Sequence, residues 1–150
     1  MRTILTYAVF IVLVVTAGLV SGLGNMPGDW YAALQKPFFN PPAWLFGPVW
    51  TTLYVLIGIA GARIWMRAPK SAAMQLWFAQ LAVNVLWSPA FFGLQNPELG
   101  LVVIAGMLIT IIGFMIKARP VDRISTLLFI PYLAWVAFAG LLNLSIALMN

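Results

Sequence analysis

Apolar residues along this chain come in long blocks, and few charged positions interrupt them. Runs free of any charge cover 3–28, 37–62, 71–97, 99–116 and 124–150. About 20 apolar residues suffice to cross roughly 30 Å of hydrocarbon, so each run predicts one membrane-spanning helix. The expected helices lie near 4–24, 42–66, 72–93, 97–117 and 123–148. The fourth run is the shortest, and extending it to Lys117 lets that lysine snorkel to the interface. The connectors Arg67-Ala-Pro69-Lys70-Ser71, Gln95-Asn96-Pro97 and Ala118-Arg119-Pro120 are short, which makes neighbouring helices antiparallel. No internal repeat or soluble segment stands out. The expectation is an all-α membrane protein, one five-helix transmembrane domain over 1–150, with a single long connector near 25–41.

Composition agrees with the pattern: 63% of residues are hydrophobic and 7% charged, against roughly a quarter charged in soluble domains. The net charge of +5 does not point to nucleic acid, because the cations sort by side. If helices alternate, Arg2, Arg63, Arg67, Lys70, Lys117, Arg119 and Arg123 share one side and Lys36 stands alone on the other. Basic short loops mark the cytoplasmic face. The expectation is a bacterial inner membrane with the N-terminus and even-numbered loops inside. The first apolar stretch runs to about Gly24, longer than the 7–15-residue core of a secretory signal, and is read as a retained span.

The long connector reads Trp30-Tyr31-Ala-Ala-Leu-Gln-Lys36-Pro37-Phe38-Phe39-Asn40-Pro41-Pro42. Asn40 is a favoured N-cap residue and proline is tolerated in a first helical turn, so this stretch is expected to start the second helix. Pro48, Pro89 and Pro131 fall inside spans. Each removes a helical donor from the carbonyl four residues earlier, at Trp44, Val85 and Leu127, so local kinks are expected. Neighbouring groups must cover those carbonyls in lipid. Kinked helices leave two packings open, one with an internal cavity and one well filled.

Candidate chemistry is aromatic and amide. With no histidine or cysteine, zinc and histidine-ligated haem lose their ligands. The acids Asp29, Glu98 and Asp122 all fall at helix ends or in loops, whereas ion-coupled transporters place ionisable groups within the membrane. Gln80, Asn84, Trp87 and Phe91 share one helical face, as do Trp135, Ala139 and Leu142, and Trp50, Tyr54 and Ile57. Inward stripes of large rings suit a flat apolar pocket with a few polar groups; core packing is the equal alternative. Trp30, Trp44, Trp65 and Trp77 fit the aromatic belt of a membrane interface. Gly18-xxx-Gly22 and Gly58-xxx-Ala62 permit close helix contact within one chain or between two.

Several of these residues together resemble the translocator protein family, also called tryptophan-rich sensory proteins. They are Trp30-Tyr31, Leu34-Gln-Lys36-Pro37, Pro41-Pro42, Trp50-x-x-Leu53-Tyr54, Gln80-Leu-Ala-x-Asn84-x-x-Trp87-x-Pro89-x-Phe91-Phe92-Gly93 and Pro131-Tyr132-Leu-Ala-Trp135. The resemblance implies a five-helix bundle, usually dimeric, whose pocket opens towards the first loop. It implies protoporphyrin IX and related tetrapyrroles as ligands, with isoquinoline carboxamides and benzodiazepines, and no required cofactor. Carried over by position, the ligand site comprises Phe46, Val49, Trp50, Tyr54, Asn84, Trp87, Phe91, Trp135, Ala139 and Leu142. The lid comprises Trp30, Lys36, Pro37, Phe39, Pro41 and Pro42. Two departures stand out. Phe38-Phe39 replaces tryptophan common in relatives, and no Lys or Arg follows Tyr132, as a sterol motif requires.

Three functions compete at this stage: a porphyrin sensor, carrier or scavenger; a light-dependent porphyrin-degrading enzyme using Trp50 and Trp135; and a transporter of tetrapyrroles or lipids. The inward aromatic faces together with the family resemblance favour the first.

Overall fold

The computed structural model describes residues 1–150 and contains five helical segments long and apolar enough to cross a membrane. The first is α1 (Arg2–Gly24). A short α2 (Asp29–Ala33) lies in the long connector. The second span is α3 (Ala43–Arg67). The third consists of α4 (Ala72–Asn84) and a π-helical turn, Pro89–Gly93. The fourth is α5 (Pro97–Ala118), and the fifth is α6 (Arg123–Leu128) followed by α7 (Ile130–Met149). The expected five-helix bundle is therefore present. The chain is an integral, multi-pass membrane protein.

Local sequence explains most helix starts. The Ser71, Asn96 and Asp122 side chains accept the amides of Met74, Leu99 and Ser125 at 3.2, 3.0 and 3.1 Å, each satisfying a donor with no intrahelical partner. The second span departs from expectation. Asn40 is not its N-cap; that position falls to Pro42, whose φ of −60° and ψ of 144° are extended. Pro42 pushes Pro41 towards extended geometry as well, so the helix waits until Ala43, and the Asn40 amide closes a turn on the Pro37 carbonyl.

The three intramembrane prolines act differently. At Pro89 the third span breaks after Asn84 and re-forms as a π turn, with the Leu94 amide donating to the Pro89 carbonyl at 2.8 Å. The Val85 carbonyl freed by Pro89 accepts the Ser21 hydroxyl of α1 at 2.7 Å. The fifth span is interrupted at Phe129, two residues before Pro131. By contrast, α3 runs unbroken through Pro48. That proline lies close to the helix start, where the orphaned carbonyl belongs to Trp44, an exposed residue beside the connector.

The helices form a ring: α1 packs on α3, α3 on α6, α7 on α5, and α5 on α4. Rings of α1 and α4 close the circuit, with Phe10 and Trp77 centroids 5.1 Å apart. Trp77 is not part of an interfacial belt. It is 0% exposed, and its indole N–H donates to the Ile57 carbonyl of α3 at 2.9 Å. Gly61 makes the room, since a Cβ there would lie 2.3 Å from Trp77 Cε2. Trp44 and Trp65 are exposed, as a belt residue should be. Gly18 and Gly58 serve contacts inside the chain, against Tyr54 and Ile11.

At the basic end of the bundle, Asp122 joins three spans. Arg63 of α3 grips its carboxylate through Nε at 2.7 Å and Nη2 at 3.1 Å, and Arg63 Nη1 donates to the Tyr7 hydroxyl of α1 at 3.4 Å. The Ser125 hydroxyl donates to the same carboxylate at 2.6 Å. These donors hold the Asp122 carboxyl well below the usual carboxylate range, the Arg63 hydrogen bond having the largest effect and burial opposing it.

Candidate functional site

The opposite end of the bundle, beneath the long connector, collects most of the candidate side chains. From α3, the Trp50 ring lies 5.5 Å from Tyr54 and 6.5 Å from Tyr132. Phe46 meets Trp135 of α7 edge to face at 5.8 Å, and Trp135 adjoins Phe138 at 5.7 Å. Aromatic pairs prefer such offset and edge geometries.

Between these helices runs a buried polar chain. The Asn84 Nδ2 donates to the Tyr132 hydroxyl at 2.7 Å, the Tyr132 hydroxyl donates to Gln80 Oε1 at 2.8 Å, and Gln80 Nε2 donates to the Trp77 carbonyl at 2.8 Å. Amides facing lipid would be costly, which explains why this face of α4 turns inward. The chain ties the third span to the fifth and forms a floor under the aromatic residues.

Trp87 belongs to a second cluster. Its indole N–H donates to Asn143 Oδ1 at 3.0 Å, and Asn143 Nδ2 donates to the Pro97 carbonyl at 2.7 Å. Its ring stacks on Phe91 at 5.0 Å. With the N–H already bonded to Asn143, Trp87 offers a neighbour only its faces. Phe91 is 1% exposed, enclosed by Trp87, Trp30, Tyr31 and Phe92. Asn84 and Leu142 are buried too, while Trp50, Tyr54, Trp87, Trp135 and Ala139 are partly open.

Trp135 differs from Trp87. Its Nε1 is the buried side-chain polar atom without a hydrogen-bond partner. Leaving such a donor unpaired costs about 1–3 kcal/mol. Beside it a groove of about 650 Å³ opens between Pro48, Val49 and Thr52 of α3 and Pro131, Trp135 and Phe138 of α7. The opening follows from the topology: of the two halves of the fifth span, α3 packs more closely on α6 than on α7, which lies beyond the break at Phe129. A further recess of about 930 Å³ lies on the outer face of α1, against Val85 and Pro89.

The connector crosses this end of the bundle from the third span to the fifth. Trp30 and Tyr31 rest on Phe91 and Phe92 with ring separations of 5.3–6.2 Å. Lys36 Nζ sits 4.5 Å from the Tyr31 ring centroid and donates to the Leu34 carbonyl at 3.2 Å. Pro37 is buried. Phe39 reaches Phe138 at 6.3 Å, while Phe38 is 99% exposed. Pro41 and Pro42 form the extended entry to α3. Burial raises the Tyr31 hydroxyl above the usual phenol range, with the Asn40 side chain acting in the opposite direction.

The sequence places neither Tyr132 nor Asn143 in the ligand site, although Tyr132 stands in the motif Pro131-Tyr132-Leu-Ala-Trp135 and Asn143 is an amide within a span, suited to bridging helices. Tyr132, Trp135, Ala139, Leu142 and Asn143 fall on one helical face, so spacing carried a signal for both.

Comparison with known proteins adds the family. The pattern described as the TspO/MBR family matches residues 10–149. A tryptophan-rich protein TspO from Archaeoglobus fulgidus is 47% identical over 123 residues, covering 81% of this chain and 80% of its own. The protein of the same name from Chlorobaculum tepidum is 39% identical over 155 residues, covering 99% and 98%. The human translocator protein is 36% identical over 119 residues, covering 76% and 70%.

Proposed function

The chain belongs to the TspO/MBR family, and from that premise we propose that it binds porphyrins in the membrane as a sensor, carrier or scavenger. The observation that carries this reading is Trp135, which meets Phe46 edge to face and lines the α3–α7 groove with its N–H unpartnered, beside the neighbouring Trp50–Tyr132 ring pair. A flat tetrapyrrole stacks on indole faces, and the free N–H suits an acceptor oxygen. An isoquinoline carboxamide or benzodiazepine carbonyl offers the same acceptor. The connector, whose rings close over this end, acts as the lid.

Aromatic stacking is worth about 0.5–1.5 kcal/mol beyond area burial, and 1.4 kcal/mol is tenfold in affinity. Titrating protoporphyrin IX against tryptophan fluorescence tests the site. Trp50→Phe is expected to weaken binding roughly threefold, and Trp135→Phe, which also loses the donor, about tenfold. Unchanged affinity in both variants refutes this site.

Orientation and assembly belong to the same proposal. Arg63, Arg67, Lys70, Lys117, Arg119 and Arg123 gather at the end opposite the lid, and this sorting of basic residues supports an orientation with that end in the cytoplasm of a bacterial cell. The exposed α1 face, where Gly22 meets nothing within 4 Å, supports a homodimer. Native mass spectrometry from detergent measures the dimer, and a monomer at all concentrations removes it.

A further inference from the structure

The lid touches the spans in two physically different ways. Its aromatic contacts, Trp30 and Tyr31 on Phe91 and Phe92 and Phe39 on Phe138, set separation but little register, because ring pairs tolerate a range of offsets. Hydrogen bonds are directional, and residues 29–40 make two of them to the spans. Both come from one side chain. Asn150, which follows α7, accepts the Gln35 amide on Oδ1 at 3.0 Å and donates from Nδ2 to the Gln35 carbonyl at 2.9 Å. Its Nδ2 also donates to the Ile146 carbonyl at 2.8 Å.

The Asn150 amide therefore mimics a peptide group paired with an extended strand. The carbonyl and both N–H donors of its amide are engaged, so the head is held against the last turn of α7 while gripping the loop. It grips backbone alone, and the Gln35 side chain plays no part in these two bonds. One residue later Lys36 lies over Tyr31, and one further on Pro37 is buried. Holding Gln35 thus fixes the segment joining the third-span contacts to the fifth-span contact.

We infer that Asn150 is a positioning residue that latches the lid closed over the aromatic site by pairing with the Gln35 backbone. The bonds are exposed, and water competes for them, so each holds weakly. That is what a reversible gate requires: the loop stays shut most of the time and opens without unfolding the bundle. For ligand exchange, the inference rests on the porphyrin-binding reading; for lid order, it does not.

The test uses the full chain in lipid nanodiscs. Amide hydrogen exchange over residues 34–40 reports lid opening with no ligand present. Asn150→Ala and the near-isosteric Asn150→Asp should both accelerate that exchange roughly three- to tenfold. The aspartate keeps the shape but sets a carboxylate against the Gln35 and Ile146 carbonyls. Exchange in the five spans should stay unchanged in both variants. Gln35→Ala, which retains the backbone, should keep the slow native exchange.

Native lid exchange in both Asn150 variants overturns the latch. Native exchange in Asn150→Asp alone means the side chain acts by shape, which also overturns it. The second arm measures protoporphyrin IX dissociation, expected to quicken by the same factor in both variants. A faster lid with unaltered dissociation overturns the gating role. If the native protein binds no protoporphyrin IX, the porphyrin reading falls, while the exchange arm still decides the latch.

Discussion

Replacing Gly61 by alanine puts a methyl where Trp77 now sits. The added Cβ would lie 2.3 Å from Cε2, 2.6 Å from Cζ2 and 2.6 Å from Nε1 of the indole. Trp77 has nowhere to retreat: it is fully buried, with Phe10 at 5.1 Å and Phe78 at 5.0 Å. Overpacking of this kind costs about 1–3 kcal/mol. A shifted indole also weakens its 2.9 Å bond to the Ile57 carbonyl, a further 0.5–1.5 kcal/mol or so. Alanine's better helix propensity returns up to about 1 kcal/mol. The net expectation is a loss of about 1–3 kcal/mol. Reversible unfolding in mixed detergent and SDS, followed by circular dichroism, measures it. Gly47→Ala, at an exposed position of α3, is the control, since a Cβ there meets nothing within 4 Å, and should be neutral or slightly stabilising. If Gly61→Ala matches Gly47→Ala within error, Trp77 is not packed against α3 as described.

Two further outcomes follow from the polar groups. Tyr132→Phe removes the hydroxyl between Asn84 and Gln80, leaving an acceptor and a donor unpaired; a loss of about 1–3 kcal/mol is expected in the same assay, and a neutral variant argues against the buried chain. Asp122 titrates below its unfolded value, so its contribution is full above about pH 5 and is lost as pH falls below about 4. Stability should therefore be flat from pH 8 to pH 5 and decline in acid, with a shallower decline in Asp122→Asn. An equally steep acid limb in that variant assigns the decline to another group.

Much of the fold is legible along the chain. Charges are expensive inside a bilayer, so their absence over long runs locates spans, and Ser71, Asn96 and Asp122 mark helix starts by accepting first-turn amides. The candidate site is legible only in part. The face carrying Gln80, Asn84, Trp87 and Phe91 is visible as spacing, because amides must avoid lipid. Trp77 reads as an interfacial residue until Gly61, sixteen positions earlier, is seen to leave a space for it.

The segments that cross the membrane and the polar groups that must turn inward are readable along the chain, since both follow from the cost of exposing charge or amide to hydrocarbon. Which way each aromatic faces and what each amide holds depend on how distant segments pack. Lipid tails and protein interior are equally apolar, so hydropathy carries no sign of whether an indole meets a neighbouring helix, a groove or the bilayer. Trp87 bonded to Asn143, Trp135 left unpaired at the α3–α7 groove and Asn150 closed on Gln35 are outcomes of packing between distant segments.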